Sequence, residues 1–237
     1  MSGSLRLGGL AAVASLAAVV GASSFATPAA ADTISAELIV GGTINGNGTV
    51  TGGSVINLGS SSTGSFNFNQ SGNVGSGTYT ANISGTGSPP LLFPDLLETN
   101  TLDLQTNGLA SGTTLALIIT ETGLTNAPPG FDSSFDVLAL NGGTYTGYTM
   151  YNGSKLASDG PLSGPAGNDT VGTVVTPTSS YTLAAEYTGV TTSTSGNINA
   201  DIDITATPVP AALPLFAGGL GMLGMVLRRR KRTLTAI

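Results

Sequence analysis

Asp201 and Asp203 stand two residues apart in a segment where Ile198, Ala200, Ile202 and Ile204 alternate with Asn197, Asn199 and Thr205. Such period-two alternation marks a half-buried strand. Both carboxylates then project from one face, about 6–7 Å apart. That spacing suits a cation site or a glycosidase pair. The plainer expectation is a solvated outer face opposite Ile202 and Ile204. Asp132 and Asp136 flank Ser133-Ser134 and are expected to lie in a loop, where they either approach each other or serve as solvated turn residues. Asn168-Asp169-Thr170 reads as a turn or an Asx cap. Tyr145, Tyr148 and Tyr151 recur every third residue in a Gly-containing stretch. They either line a sugar-binding surface, since aromatic rings stack on apolar sugar faces, or close the end of a sandwich. The chain has no Cys and no His. The usual zinc sites and the Ser–His and Cys–His nucleophile pairs are therefore excluded. No catalytic, cofactor-binding or metal-ligating residue is assigned, and the chain is not expected to be an enzyme.

The elements that must carry these residues are strands. Ile34, Ala36, Leu38 and Val40 alternate with polar partners, as do Phe66 and Phe68, Leu102 and Leu104, and Tyr181, Leu183 and Ala185. Leu115–Ile119 is continuously apolar and is expected in mid-sheet, buried on both faces. Between these runs lie Gly41-Gly42, Asn45-Gly46-Asn47-Gly48, Gly52-Gly53, Asn141-Gly142-Gly143 and Asn152-Gly153. They supply the positive φ that tight hairpins require. About ten short strands with frequent turns predict an all-β domain, an antiparallel β-sandwich of jelly-roll or Ig-like type. Only Leu91–Asn100, interrupted by Pro94, is expected to hold a helical turn.

Charge divides the chain into segments. All thirteen acidic residues fall between Asp32 and Asp203, and Lys155 is the one basic residue among them, a net of −12. A phosphate-binding surface needs the opposite sign, so nucleic acid is not an expected partner. Arg6, the apolar stretch Leu7–Val20 and Ala29-Ala30-Ala31 form the three parts of a signal peptide. Ala29 and Ala31 are the cleavage determinants, and signal peptidase is expected to cut before Asp32. At the other end Pro208, Pro210 and Pro214 lead into an apolar run, Ala211–Leu227. Its 17 residues would span about 25 Å as a helix, at the short limit for a bilayer core of about 30 Å. Arg228, Arg229, Arg230, Lys231 and Arg232 follow and are expected to stay cytoplasmic. The expected organisation is signal peptide 1–31, acidic exterior domain 32–207, C-terminal signal 208–232 with a transmembrane helix, and cytoplasmic tail 233–237.

The segment Thr207-Pro208-Val209-Pro210-Ala211-Ala212-Leu213-Pro214-Leu215-Phe216, then a Gly-rich apolar stretch, then Arg228–Arg232, resembles a PEP-CTERM sorting signal, closest to its Val-Pro-Leu-Pro-Ala variant. Thr207 stands where the variant has Val, and Val209 replaces its Leu. The resemblance covers about 25 residues. It implies a sorting motif at Pro208, Val209, Pro210 and Ala211 with the basic stop behind it. It further implies processing by an exosortase-type enzyme and delivery to the envelope, surface or extracellular matrix of a Gram-negative bacterium, with exopolysaccharide as a partner. Leu102-Asp103-Leu104-Gln105-Thr106 and Leu117–Leu124 also resemble exterior domains of this class. The expectation is a non-catalytic structural or adhesive protein. The alternatives are a carbohydrate- or calcium-binding module and a two-carboxylate glycosidase.

Overall fold

Alternating apolar and polar residues resolve into β-strands throughout a computed structural model that describes residues 33–87 and 96–207, with Leu96 and Asn168 described by their backbone alone. The strands are β1 (Thr33–Val40), β2 (Thr43–Ile44), β3 (Val50–Thr51), β4 (Ser54–Ser61), β5 (Ser65–Val74), β6 (Gly77–Thr86) and β7 (Leu96–Asn107). They continue as β8 (Thr114–Thr125), β9 (Gly130–Asn141), β10 (Gly143–Tyr151), β11 (Ser154–Leu162), β12 (Ala166–Val174), β13 (Ser180–Thr191) and β14 (Ser195–Ala206). All pairings are antiparallel. One six-stranded sheet runs β11-β10-β13-β8-β1-β4 and the other β12-β9-β14-β7-β6-β5. The all-β, two-sheet expectation holds, with more strands than the turn signals suggested.

The core lies between the inner faces. Ile34, Ala36 and Leu38 of β1, Leu115, Leu117 and Ile119 of β8, and Leu183 and Ala185 of β13 line one side. Ile83 of β6, Leu102 and Leu104 of β7, Phe131, Phe135 and Val137 of β9, and Ile198, Ala200, Ile202 and Ile204 of β14 line the other. Each fully buried Leu, Ile or Phe contributes roughly 1.5–3 kcal/mol of transfer free energy. With no disulfide in the chain, this burial and the strand ladders hold the fold. Ser133 and Thr149 tie the two sheets together through a 2.7 Å hydroxyl–hydroxyl bond inside the core.

Burial of β8 on both faces holds for Leu115, Ala116, Leu117 and Ile119, while Ile118 is only half-buried. The outward cover comes from the chain itself. β1 and β4 continue into β2 and β3, and the extended hairpin bends at two facing glycine pairs. Gly41, Gly42, Gly52 and Gly53 all have φ between 77° and 88°, a region in which a Cβ is strained. A Cβ at Gly53 would sit 2.6 Å from the Gly41 carbonyl oxygen, and one at Gly42 would sit 2.7 Å from that of Thr51. The folded-over hairpin passes β8 and β13. Its tip glycine, Gly48, rests against the ring of Tyr148 on β10.

The expected helical turn is corrected for the part of Leu91–Asn100 that is described. Leu96–Asn100 begins β7. There, pairing with β14 outweighs the local break at Pro94, itself among residues 88–95, which lie outside the described residues. The signal peptide with Ala29 and Ala31, the sorting motif Pro208–Ala211, the transmembrane segment and the basic cluster Arg228–Arg232 also lie outside them.

Candidate functional site: an acidic row on the outer face

On β14 the alternation does what the spacing requires. Ile198, Ala200, Ile202 and Ile204 are fully buried, and Asp201 and Asp203 face outward. They are not freely solvated, however. Both are half-buried, and one oxygen of each is shielded from water without a hydrogen bond. Register explains this. Asp136 on β9 is directly opposite Asp201. Glu98 on β7 and Ser134 on β9 are directly opposite Asp203. Directly opposed side chains have Cβ atoms about 4.5–5.5 Å apart, close enough for like charges to destabilise.

A bulge in β7 sets the spacing of this row. The pairing jumps from Ala200 opposite Leu102 to Asp203 opposite Glu98. Thr99 fills the gap: its hydroxyl accepts from the Ile202 amide (2.6 Å) and donates to the Ile202 carbonyl (3.0 Å). The ladder stays satisfied while the outward register shifts, so Asp201 has no directly opposed residue on β7.

Electrostatics follow from this crowding. Burial, then Glu98, then Asp201 push the Asp203 carboxyl up to about 6, against a smaller opposing contribution from a backbone hydrogen bond of Thr99. Burial, then Asp136 and Glu98, raise Asp201. Glu98 in turn accepts a hydrogen bond from Thr86 on β6 (3.4 Å). Asp203 is therefore partly protonated in mildly acidic solution. Among the described residues no three carboxylates converge in a way that would hold a metal ion. Asp201 and Asp203 lie side by side on one face, whereas a glycosidase pair flanks the scissile bond.

The other candidates are placed differently from expectation. Asp132 and Asp136 lie on a strand, β9, rather than in a loop. Four residues apart on one face, they are separated by about 13 Å along the strand and do not approach each other. Asn168-Asp169-Thr170 is part of β12, not a turn. Its Asp169 raises Asp159 of β11, behind burial as the main cause, where the two edge strands meet. The tyrosines do not share a surface. Tyr145 and Tyr151 point into the core, as spacing by six on a strand requires, and Tyr148 points out beneath Gly48. Tyr151 closes one end of the sandwich with Phe131 and Tyr181, at ring separations of 5.5–6.0 Å. Its hydroxyl donates to the Thr176 carbonyl (3.1 Å) and meets the Thr178 hydroxyl at 2.8 Å.

Sequence reasoning missed Glu98 and Asp136 as partners of the aspartate pair, and Glu186. Glu186 faces outward on β13, beside Tyr148 in register, yet is 2 % exposed. It accepts a hydrogen bond from Thr188, and burial raises its carboxyl above the usual range. No local signal marks these residues, because sheet register and the folded hairpin place them. No protein-family model matches the chain, and no curated protein matches it.

Proposed function

We propose that the chain is an exported cell-surface or extracellular-matrix protein, sorted through a PEP-CTERM-like C-terminal signal, with a non-catalytic structural or adhesive role. One observation carries the reading: a complete sandwich is bracketed by two targeting-type segments. The last strand ends at Ala206, two residues before Pro208, where the Pro-rich, apolar and basic segments begin in order. The first strand begins at Thr33, two residues after Ala31. Successive strands from β7 to β10 alternate between sheets, and β13 and β14 return between earlier neighbours. That winding supports a jelly roll over an Ig-like order.

In this reading signal peptidase removes 1–31, the Ala211–Leu227 helix tethers the domain to the inner membrane, and an exosortase-type enzyme acts at the Pro208–Ala211 junction. Protease shaving of intact cells tests it. Peptides released should come from 32–207, and the most N-terminal peptide of the mature protein should start at Asp32. Release only after lysis overturns export, and a mature protein retaining Met1 or Ser2 overturns cleavage before Asp32.

A further inference from the structure

On the outer face of the second sheet, away from the acidic row, three adjacent strands form a depression of about 490 Å³. Its walls are a grid of outward side chains in register. Thr78, Asn107 and Ser195 make one row, and Thr80, Gln105 and Asn197 the next. The intervening Tyr79, Thr106 and Gly196 turn their side-chain positions to the core and leave backbone on the floor. The volume falls within the roughly 300–1,000 Å³ of small-ligand sites.

We infer that this depression is a binding site for a segment of uncharged polysaccharide. The lining is two side-chain types, amide and hydroxyl, each able to donate and accept. That inventory matches the vicinal hydroxyls of a sugar ring. Within each row, hydroxyl or amide groups recur at the strand spacing of about 4.8 Å, so consecutive rings of an extended glycan laid across the strands meet similar groups. One lining group is also held in place. Gln105 donates to Asp103 (3.3 Å), which orients its amide. Charge decides the polymer class. No lining side chain is ionised, and the carboxylates further along the same face repel an anionic chain.

The inference deepens the adhesive reading of the exterior domain and rests on it for its biological setting only. Titrating the isotopically labelled full-length chain in detergent micelles with cellohexaose, mannohexaose and laminarihexaose tests it by amide chemical shifts. At least one neutral hexasaccharide should give saturable shifts centred on Thr78–Thr80, Gln105–Asn107 and Ser195–Asn197. An alginate hexasaccharide should give none there. Thr80→Ala with Gln105→Ala, both exposed positions, should weaken binding about tenfold or more, as expected when two hydrogen bonds are lost, with an unchanged spectrum elsewhere. Absence of saturable shifts with all three sugars overturns the inference. So does preference for alginate, equal affinity in the double variant, or shifts centred elsewhere. Because binding is read on purified protein, its failure leaves export and sorting intact, and failed export leaves the site intact.

Discussion

At Asp203 burial and two neighbouring carboxylates act on one carboxyl. Its folded value of about 6 lies above the 3.8 of an unperturbed aspartate. Burial leads, and Glu98 on β7 and Asp201 on the same strand add to it, with Asp136 on β9 one neighbour further. The native state therefore binds more protons than the unfolded chain between those two values. By linkage, stability falls as pH rises through that window and levels off above it. Glu186 and Asp201 are shifted in the same direction. The domain should melt highest in mildly acidic buffer rather than at neutrality. Asp203→Asn keeps the shape and an acceptor but removes the charge. It should raise the melting temperature at pH 7, leave it nearly unchanged at pH 4, and flatten the profile between. A variant less stable than the parent at pH 7 would mean that the charge is compensated by a group outside this row.

The folded-over hairpin of β2 and β3 shows what an element can do that its residues do not announce. Its Asn-Gly and Gly-Gly clusters were legible as turns, and the alternating strands were legible from period two alone. That four glycines form one bend, and that the bend lays Gly48 on Tyr148, was not, because it depends on which glycines face each other across a hairpin. The same limit hid the acidic row. Asp201 and Asp203 were legible as a same-face pair, but Glu98 and Asp136 join them only through pairing with strands some 100 and 65 positions away in the chain. The tyrosine triplet divides because a strand sends the middle residue to the other face, and of its two expected roles, closing the end of the sandwich holds for Tyr151. The bend is open to test. Gly53→Ala places a Cβ 2.6 Å from the Gly41 carbonyl oxygen at φ 86°. The left-handed conformation alone costs about 1–2 kcal/mol, a drop of several degrees in melting temperature for a domain of this size. Gly46→Ala, at the tip with open space around its Cβ, should cost far less. Equal losses at the two positions would show that the bend is not held by the facing pairs.

For the molecule as a whole, the division of charge and the limits of the sandwich argue together. The net −12 of residues 32–207 and the five basic residues Arg228–Arg232 are separated by the apolar run Ala211–Leu227. The described fold closes at Thr207: Ala206 is buried, and Thr207 donates its amide to the Gly130 carbonyl (3.0 Å), closing the last ladder. Removal of 208–237 should therefore leave a domain that melts within a few degrees of the full chain, yet under the proposed sorting it should be released into the periplasm rather than held at the surface. The 17-residue apolar run is short for a bilayer core of about 30 Å, and mismatch of this kind costs only fractions of a kcal/mol per Å, tolerable for a transient tether. Under the proposed sorting, Pro208, Pro210 and Pro214 suit presentation of the junction to a processing enzyme, because proline disfavours helix. The intact mass of surface-extracted protein, compared between cells with and without the exosortase-type enzyme, decides between tether and anchor. Loss of the mass of the basic tail only where the enzyme is present supports sorting with cleavage near Pro208–Ala211. Full-length tails at the surface in both strains would reduce the C-terminal segment to a permanent anchor, and the sorting proposal would fall with it.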